Sequence, residues 1–282
     1  KGKALGRPVY DLLGGLVRDK VVCYPHNQDN NVETLVKSAK ETTSQGWKFV
    51  RWGLPTTGPD ILEPTKAVNL AIQQFEAVRD AVGPDIELCF DVHTRLDPAH
   101  AVRLCREVEK YRPFFIEDPL RSENPGSYED LARQVAVPIA AGEQWATKWP
   151  FREVIEKELI DYARIDLCIV GGITEAIKIA HWCETHYINL APHNPLGPVS
   201  AAAGLHLCLA CTNVGVLEMP RKPGTSLNDL FPVQVEWQDG YLLAPKRPGL
   251  GIEFNEAAVK NYPYRPDHAP LLHRQDGAFT NW

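Results

Sequence analysis

From Lys20 to about Glu218, short apolar runs alternate with longer amphipathic stretches. That alternation predicts repeated strand–helix units around a parallel sheet, rather than an all-α or open all-β fold. Eight runs read as strands, at 21–24, 49–52, 86–91, 114–117, 139–143, 162–165, 188–191 and 214–218. Between them lie seven stretches of helical periodicity, near 32–45, 64–82, 98–111, 128–135, 151–156, 173–186 and 199–209. Glu63-Pro64 and Asp97-Pro98 suit helix starts, because proline is tolerated in the first turn and Asp can cap. Gly46 and Gly83 suit helix ends. Beyond Glu218 the pattern breaks, and Pro220, Pro223, Pro232, Pro245 and Pro248 punctuate a tail expected to be irregular and to wrap the rest.

Three of the strands end in acids. Asp91, Glu117 and Glu143 each close an apolar run and lie 26 positions from the next. One strand, helix and loop pair of a parallel barrel takes roughly 25 residues, so this spacing predicts three carboxylates at one height above the C-terminal mouth. Carboxylates held that close repel unless a cation lies between them, and an all-oxygen donor set suits a hard ion such as Mg2+.

Composition narrows the class without changing that picture. The 282 residues are 44% hydrophobic and 23% charged, near the average for a globular protein. A formal charge of −6 leaves no broad basic surface for nucleic acid or anionic lipid. No run of about 18 apolar residues and no signal-peptide pattern occurs, so a cytoplasmic protein with no membrane partner is expected. Seven scattered cysteines lack a disulfide framework, which favours reduced, buried thiols. Cys208 and Cys211 form a CxxC pair, open between core packing on a helix and a metal or redox role.

Other strand ends carry further candidates. Asp166 follows the sixth run and His193 the seventh, so a carboxylate can orient a neighbouring imidazole and raise its basicity, making His193 a general base. The competing reading is a loop histidine beside an unrelated aspartate. His93 lies two positions beyond Asp91 and would share its side in extended chain, as an acid, a fourth ligand or a structural histidine. Glu218 ends the eighth run and either orients substrate hydroxyls or serves as a cap or salt bridge. Lys48 and Arg51 fall on opposite faces of the second strand, and Arg51 is the one placed to grip a carboxylate. The polar loop 25–31, with His26 and Asn27, suits a polyhydroxylated ligand or is simply solvated. Trp145 either packs on substrate or closes the rim. Gly171-Gly172 either leaves the backbone room after Asp166 or forms a phosphate turn.

The ordered series Phe90-Asp91-Val92-His93, Phe115-Ile116-Glu117-Asp118-Pro119-Leu120, Ala141-Gly142-Glu143-Gln144, Arg164-Ile165-Asp166 and Pro192-His193-Asn194-Pro195-Leu196-Gly197-Pro198 resembles the mandelate racemase subgroup of the enolase superfamily. Within it the chain is most similar to the galactonate dehydratase group of acid-sugar dehydratases, from about Gly2 to Trp282. The resemblance implies a modified (β/α)7β barrel, in keeping with seven helices between eight strands, with an N-terminal α+β capping domain largely absent from this chain. Residues 1–19 would then be the end of the cap and a linker, 20–220 the barrel, and 221–282 a segment packing on barrel and cap. It further implies one Mg2+ per active site on Asp91, Glu117 and Glu143, a His193–Asp166 base dyad, His93 as acid and Glu218 as a further active-site carboxylate. Related proteins commonly form homo-oligomers.

Racemases of this subgroup end the second strand in Lys-x-Lys, whereas the corresponding stretch here is Arg51-Trp52-Gly53. The second, opposite-face base is missing, which favours one-base chemistry. The expected reaction is syn or anti loss of water from a sugar acid such as galactonate, giving a 2-keto-3-deoxy acid. A one-base epimerase or lactonising enzyme, and a member that binds an acid sugar without turnover, remain as alternatives.

Overall fold

The structure is a computed structural model and describes residues 1–27, 29–266, 269 and 271–280. Gln28 of the polar loop and the terminal Trp282 of the resemblance lie outside the described residues. Among the described residues ten strands occur in chain order: β1 (Lys20–Tyr24), β2 (Phe49–Gly53), β3 (Glu87–Asp91), β4 (Phe115–Glu117), β5 (Ile139–Ala141), β6 (Tyr162–Ala163), β7 (Asn189–Leu190), β8 (Leu217–Glu218), β9 (Trp237–Gln238) and β10 (Tyr241–Leu243). The α-helices are α1 (Gly2–Leu5), α2 (Val32–Ser44), α3 (Pro64–Val82), α4 (Pro98–Val108), α5 (Tyr128–Ala132), α6 (Trp149–Glu156), α7 (Ile173–Thr185) and α8 (Pro198–Ala210). The chain divides into two compact units: Lys1–Pro25, Glu143–Lys148 and Ala163–Asp267 form the first, and His26–Gly142, Trp149–Tyr162 and His268–Trp282 the second.

In the second unit β2, β3, β4 and β5 pair parallel in sequential order. Period-two alternation then sorts the side chains. Trp52 and Phe90 point to α3 and pack on Phe75, with ring centroids 4.7 and 5.1 Å from it. Arg51, Cys89, Asp91, Phe115 and Glu117 share the opposite face, since Cys89 pairs with Phe115 and Asp91 with Glu117. Both faces are buried, as expected of parallel strands.

Local signals set the helix ends. Asn31 caps α2 by accepting the Thr34 N–H at 3.1 Å. Pro64 and Pro98 occupy the first helical turns, as expected, but Glu63 and Asp97 make no side-chain cap bond. Glu63 accepts the backbone N–H of Gln275 at 2.7 Å instead, fastening the chain's last segment to this unit. Gly83 ends α3 at φ +80°, a conformation that suits glycine.

In the first unit the parallel ladder runs from Ala163 through β7 and β8 to β1. Ala191 donates to Ala163 at 3.0 Å, Leu190 bridges Val214, and Cys23 and Tyr24 pair with Leu217 and Glu218. The tail expected to be irregular contains a hairpin. β9 and β10 are joined by Asp239-Gly240 at φ +50° and +84°, and β10 pairs antiparallel with β1. Asp-Gly is the dipeptide that two-residue hairpins favour, and it lay unused in the sequence. The first residues pack on α8: the Tyr10 N–H donates to His206 Nδ1 at 3.1 Å, and the two rings stack.

Among the described residues all seven cysteines are free, and only Cys168 is exposed. Burial pushes the Cys105 and Cys183 thiols up to about 12 and Cys211 up to about 11. No helix among the described residues is long and apolar enough to cross a membrane.

Phe75→Ala should cost about 3–5 kcal/mol, because the ring is fully buried between Trp52 and Phe90. Tyr187→Ala, on a residue 94% exposed, should stay within about 0.5 kcal/mol. Denaturant midpoints check this, and equal shifts for the two variants would contradict the packing described.

Candidate active site

The second unit brings an acidic cluster to the C-terminal ends of its strands. Asp91 is the last residue of β3 and Glu117 the last of β4, and the two are register partners. Both are buried, with Asp118 directly after Glu117. The Asp118 backbone turns at φ +38° and its Oδ1 accepts the Gly142 N–H at 3.3 Å. Burying charges is costly unless cations or donors face them. Arg51 supplies part of that compensation: its Nη2 donates to Asp91 Oδ2 at 2.6 Å, and its Nε lies 4.0 Å from Glu117 Oε2. Arg95 adds to it. Burial lowers the pKa of its guanidinium, nearby Asp91 raises it and Arg51 lowers it further.

This placement revises several expectations. Arg51 faces inward, with Lys48 exposed, and the carboxylate that its Nη2 grips is that of Asp91. The two residues sit on the neighbouring strands β2 and β3 and share one buried face of the sheet, which brings them together. His93 does not continue an extended strand. It sits half-buried at φ +56°, and its N–H donates to Asp91 Oδ1 at 2.7 Å, so one of the acid's oxygens caps the turn leaving β3. Asn27 is 2% exposed, and its amide donates to Ser38 and Thr42 of α2 at 2.8 and 2.7 Å. It ties the loop to the helix instead of facing solvent. His26 is half-buried and bridges Arg51 in parallel register.

The first unit carries the proposed base. Asp166 and His193 form a parallel bridge, and His193 Nδ1 lies 2.8 Å from Asp166 Oδ2. That contact assigns the ring proton to Nδ1 and leaves the Nε2 lone pair available. Nε2 is 3.4 Å from Glu143 Oε2 and 3.9 Å from Glu218 Oε2. Asp166 also accepts the Cys168 and Ile169 N–H groups on Oδ1. Burial pushes its pKa up, but the His193 hydrogen bond and charge and these two amides outweigh that and hold it below the usual aspartate range. Gly171 and Gly172, at φ +111° and +80°, complete the turn into α7, in keeping with the room-making reading of the pair.

Glu143 lies just past β5, not on its last residue as the apolar run suggested, while Asp166 follows β6. After β5 the backbone turns at Gly142, φ +126°, before Glu143. Trp145 is buried. Glu218 does end β8, where Arg164 donates to its Oε2 at 2.7 Å and the Asn194 N–H at 2.9 Å. Arg164 is fully buried, donates to the Ala191 carbonyl at 2.6 Å and lies over the Tyr24 ring. Sequence reasoning gave Arg164 and Asn194 no role; an arginine inside an otherwise apolar strand run was the available signal.

The family model for the enolase C-terminal domain-like family matches residues 34–258. A D-mannonate dehydratase of Caulobacter sp. strain K31 is 33% identical over 308 residues, covering 100% of this chain and 76% of that protein. A D-galactonate dehydratase of Pectobacterium atrosepticum is 36% identical over 291 residues, with the same coverage. A solved enolase from Pantoea ananatis with bound D-gluconate and Mg superposes with a TM-score of 0.92 at 28% identity, covering 99% of this chain and 76% of that one. The chain belongs to the enolase C-terminal domain-like family. With that membership comes the α/β barrel fold class expected from the sequence.

Because the folded Asp166 pKa is lowered, its contribution to stability is present above the usual aspartate range and lost as pH falls through the lower folded value. Asp166→Asn should therefore lower Tm near neutrality, with the gap to wild type closing as pH drops below about 4. Thermal melts from pH 7 to pH 3 check this; a constant gap at every pH would contradict it.

Proposed function

We propose that the chain is a Mg2+-dependent hydro-lyase that dehydrates a sugar acid, with an aldonate of the galactonate or mannonate type as substrate. The observation that carries this reading is the Asp166–His193 pair with its Nε2 directed toward buried carboxylates. The relatives named as D-galactonate and D-mannonate dehydratases support the substrate class.

The donor chemistry of the second unit fits a hard divalent ion: in-register carboxylates, buried, offering only oxygens. Asp91 and Glu117, with Glu143 from the even 26-residue spacing, would hold it. When bound, Mg2+ supplies positive charge that stabilises the negative charge building on a carboxylate whose α-carbon loses a proton. His193 takes the C2 proton on Nε2, and Asp166, Glu143 and Glu218 stabilise the imidazolium that results. Asp166 also fixes the ring, so the base meets the substrate in one tautomer and one orientation. His93 donates a proton to the C3 hydroxyl as the C3–O bond breaks, and water leaves. The enol tautomerises to the 2-keto-3-deoxy acid, so one proton leaves C2 and one hydroxide leaves C3.

The absence of a second base favours elimination over racemisation. Gly53 stands where subgroup racemases carry a lysine, and a Cβ there would meet only the Asp91 carbonyl at 3.5 Å, an ordinary contact. Packing therefore does not force the glycine.

Incubating the protein and Mg2+ with a panel of acid sugars, and trapping products with semicarbazide, should reveal a 2-keto-3-deoxy acid from at least one of them. His193→Asn should lower turnover about 10²–10⁴-fold and abolish solvent exchange at C2. His93→Asn should lose dehydration while keeping that exchange. Wild-type turnover retained in the His193 variant would overturn the assignment.

A further inference from the structure

In the first unit a cavity of about 180 Å³ opens against the residues that directly follow the base and the eighth-strand acid. Asn194, next to His193, and Met219, next to Glu218, line it together with Arg221, Lys222, Ser226 and Gln234. Asn194 is buried, donates to the Glu218 carbonyl at 3.1 Å, and places its amide 3.9 Å from the Met219 sulfur. The cavity thus begins one residue from each of two groups proposed for the chemistry, and its cations are close by in sequence.

The loop that carries those cations is held in shape. Prolines at 220 and 223 bracket Arg221-Lys222, fixing their own φ and restricting the residues before them. Thr225 Oγ1 donates to the Lys222 carbonyl at 2.6 Å. The Gln234 side chain clamps the loop from the other side, accepting the Gly224 N–H at 3.1 Å and donating to the Ser226 carbonyl at 2.8 Å. Lys222 Nζ lies 4.5 Å from the centroid of the Trp237 ring, which occupies its ammonium. Arg221 is exposed and has no hydrogen-bond or ion-pair partner among the described residues. An unpaired guanidinium on a pre-shaped loop, at the rim of a cavity otherwise walled largely by prolines, Leu196, Leu227 and Met219, is a ready site for an oxyanion, because few other polar groups compete for it and little ordering cost remains at binding.

Resting on the dehydratase reading above, we infer that Arg221 recognises a second anionic group at the end of the substrate distant from C1. Beside the plain aldonate, the site then takes a sugar acid carrying two anions, either an aldarate or an aldonate phosphorylated at its far end, and binds it more tightly. A neutral terminal hydroxymethyl leaves the guanidinium without a charged partner.

The test compares a six-carbon aldonate, the aldarate of the same configuration and the 6-phosphoaldonate, with Mg2+, on wild type, Arg221→Gln and Arg221→Lys. Both thermal shift and kcat/KM are read. Wild type should favour at least one dianionic acid over the aldonate about tenfold or more, as expected for a hydrogen bond to a charged group. Arg221→Gln should remove that preference through KM, with Arg221→Lys restoring part of it. Preference for the aldarate points to a distal carboxylate and preference for the phosphorylated acid to a phosphate, and either supports the inference. Equal response to all three acids, or a preference unchanged in Arg221→Gln, overturns it. Absence of turnover by wild type on every acid would sink the dehydratase reading alone, since the thermal shifts still report on Arg221.

Discussion

Burial of carboxylates with compensating cations is the constraint on which both units depend. Asp91, Glu117 and Asp118 in one, and Glu143, Asp166 and Glu218 in the other, are each withdrawn from solvent. An isolated buried charge is costly, so each set is tied to a buried arginine: Arg51 on Asp91 and Arg164 on Glu218. Such pairs contribute little net stability compared with apolar packing. What they provide is position, because each arginine holds its acid in place at a strand end.

The fold supplies that position through strand parity. Apolar residues of β2 and β3 pack on α3 and exclude water, and the alternate residues of the same strands carry Arg51 and Asp91. The dyad follows similar logic, since the parallel bridge between Asp166 and His193 sets the separation that their side chains close with one hydrogen bond. Function on this account needs no specialised backbone beyond the turns at strand ends. His93 at φ +56° and Asp118 at φ +38° are where the chain leaves the sheet and exposes chemistry.

Much of this was legible in the sequence, because buried parallel strands are marked by apolar runs and their ends by the first charge. All eight expected strands occur, and Asp91, Glu117 and Glu218 end theirs. The shortfalls have physical causes. Periodicity says nothing about where a turn begins, so the apolar run carries Glu143 onto a strand that stops before it, and the spacing of His93 from Asp91 suggests extended chain where the backbone turns. Arg51 faced the expected way, but a face does not reveal the partner chosen on it. Arg164 and Arg95 went unassigned because charge inside or beside an apolar run has no periodic signature, although each answers the question of what neutralises the acids. The β9–β10 hairpin was hidden by the surrounding prolines despite its Asp-Gly turn.

The central claim is that the buried acids are arranged for a divalent cation, and ligand-linked stability tests it most directly. Binding to the native state alone raises stability with ligand concentration, by about 2.7 kcal/mol at a hundredfold excess over Kd. Titrating Mg2+ while following Tm should show a saturable rise in wild type that Glu117→Gln loses. A Tm indifferent to Mg2+ in wild type, or a rise of equal size in the Glu117 variant, would contradict the account.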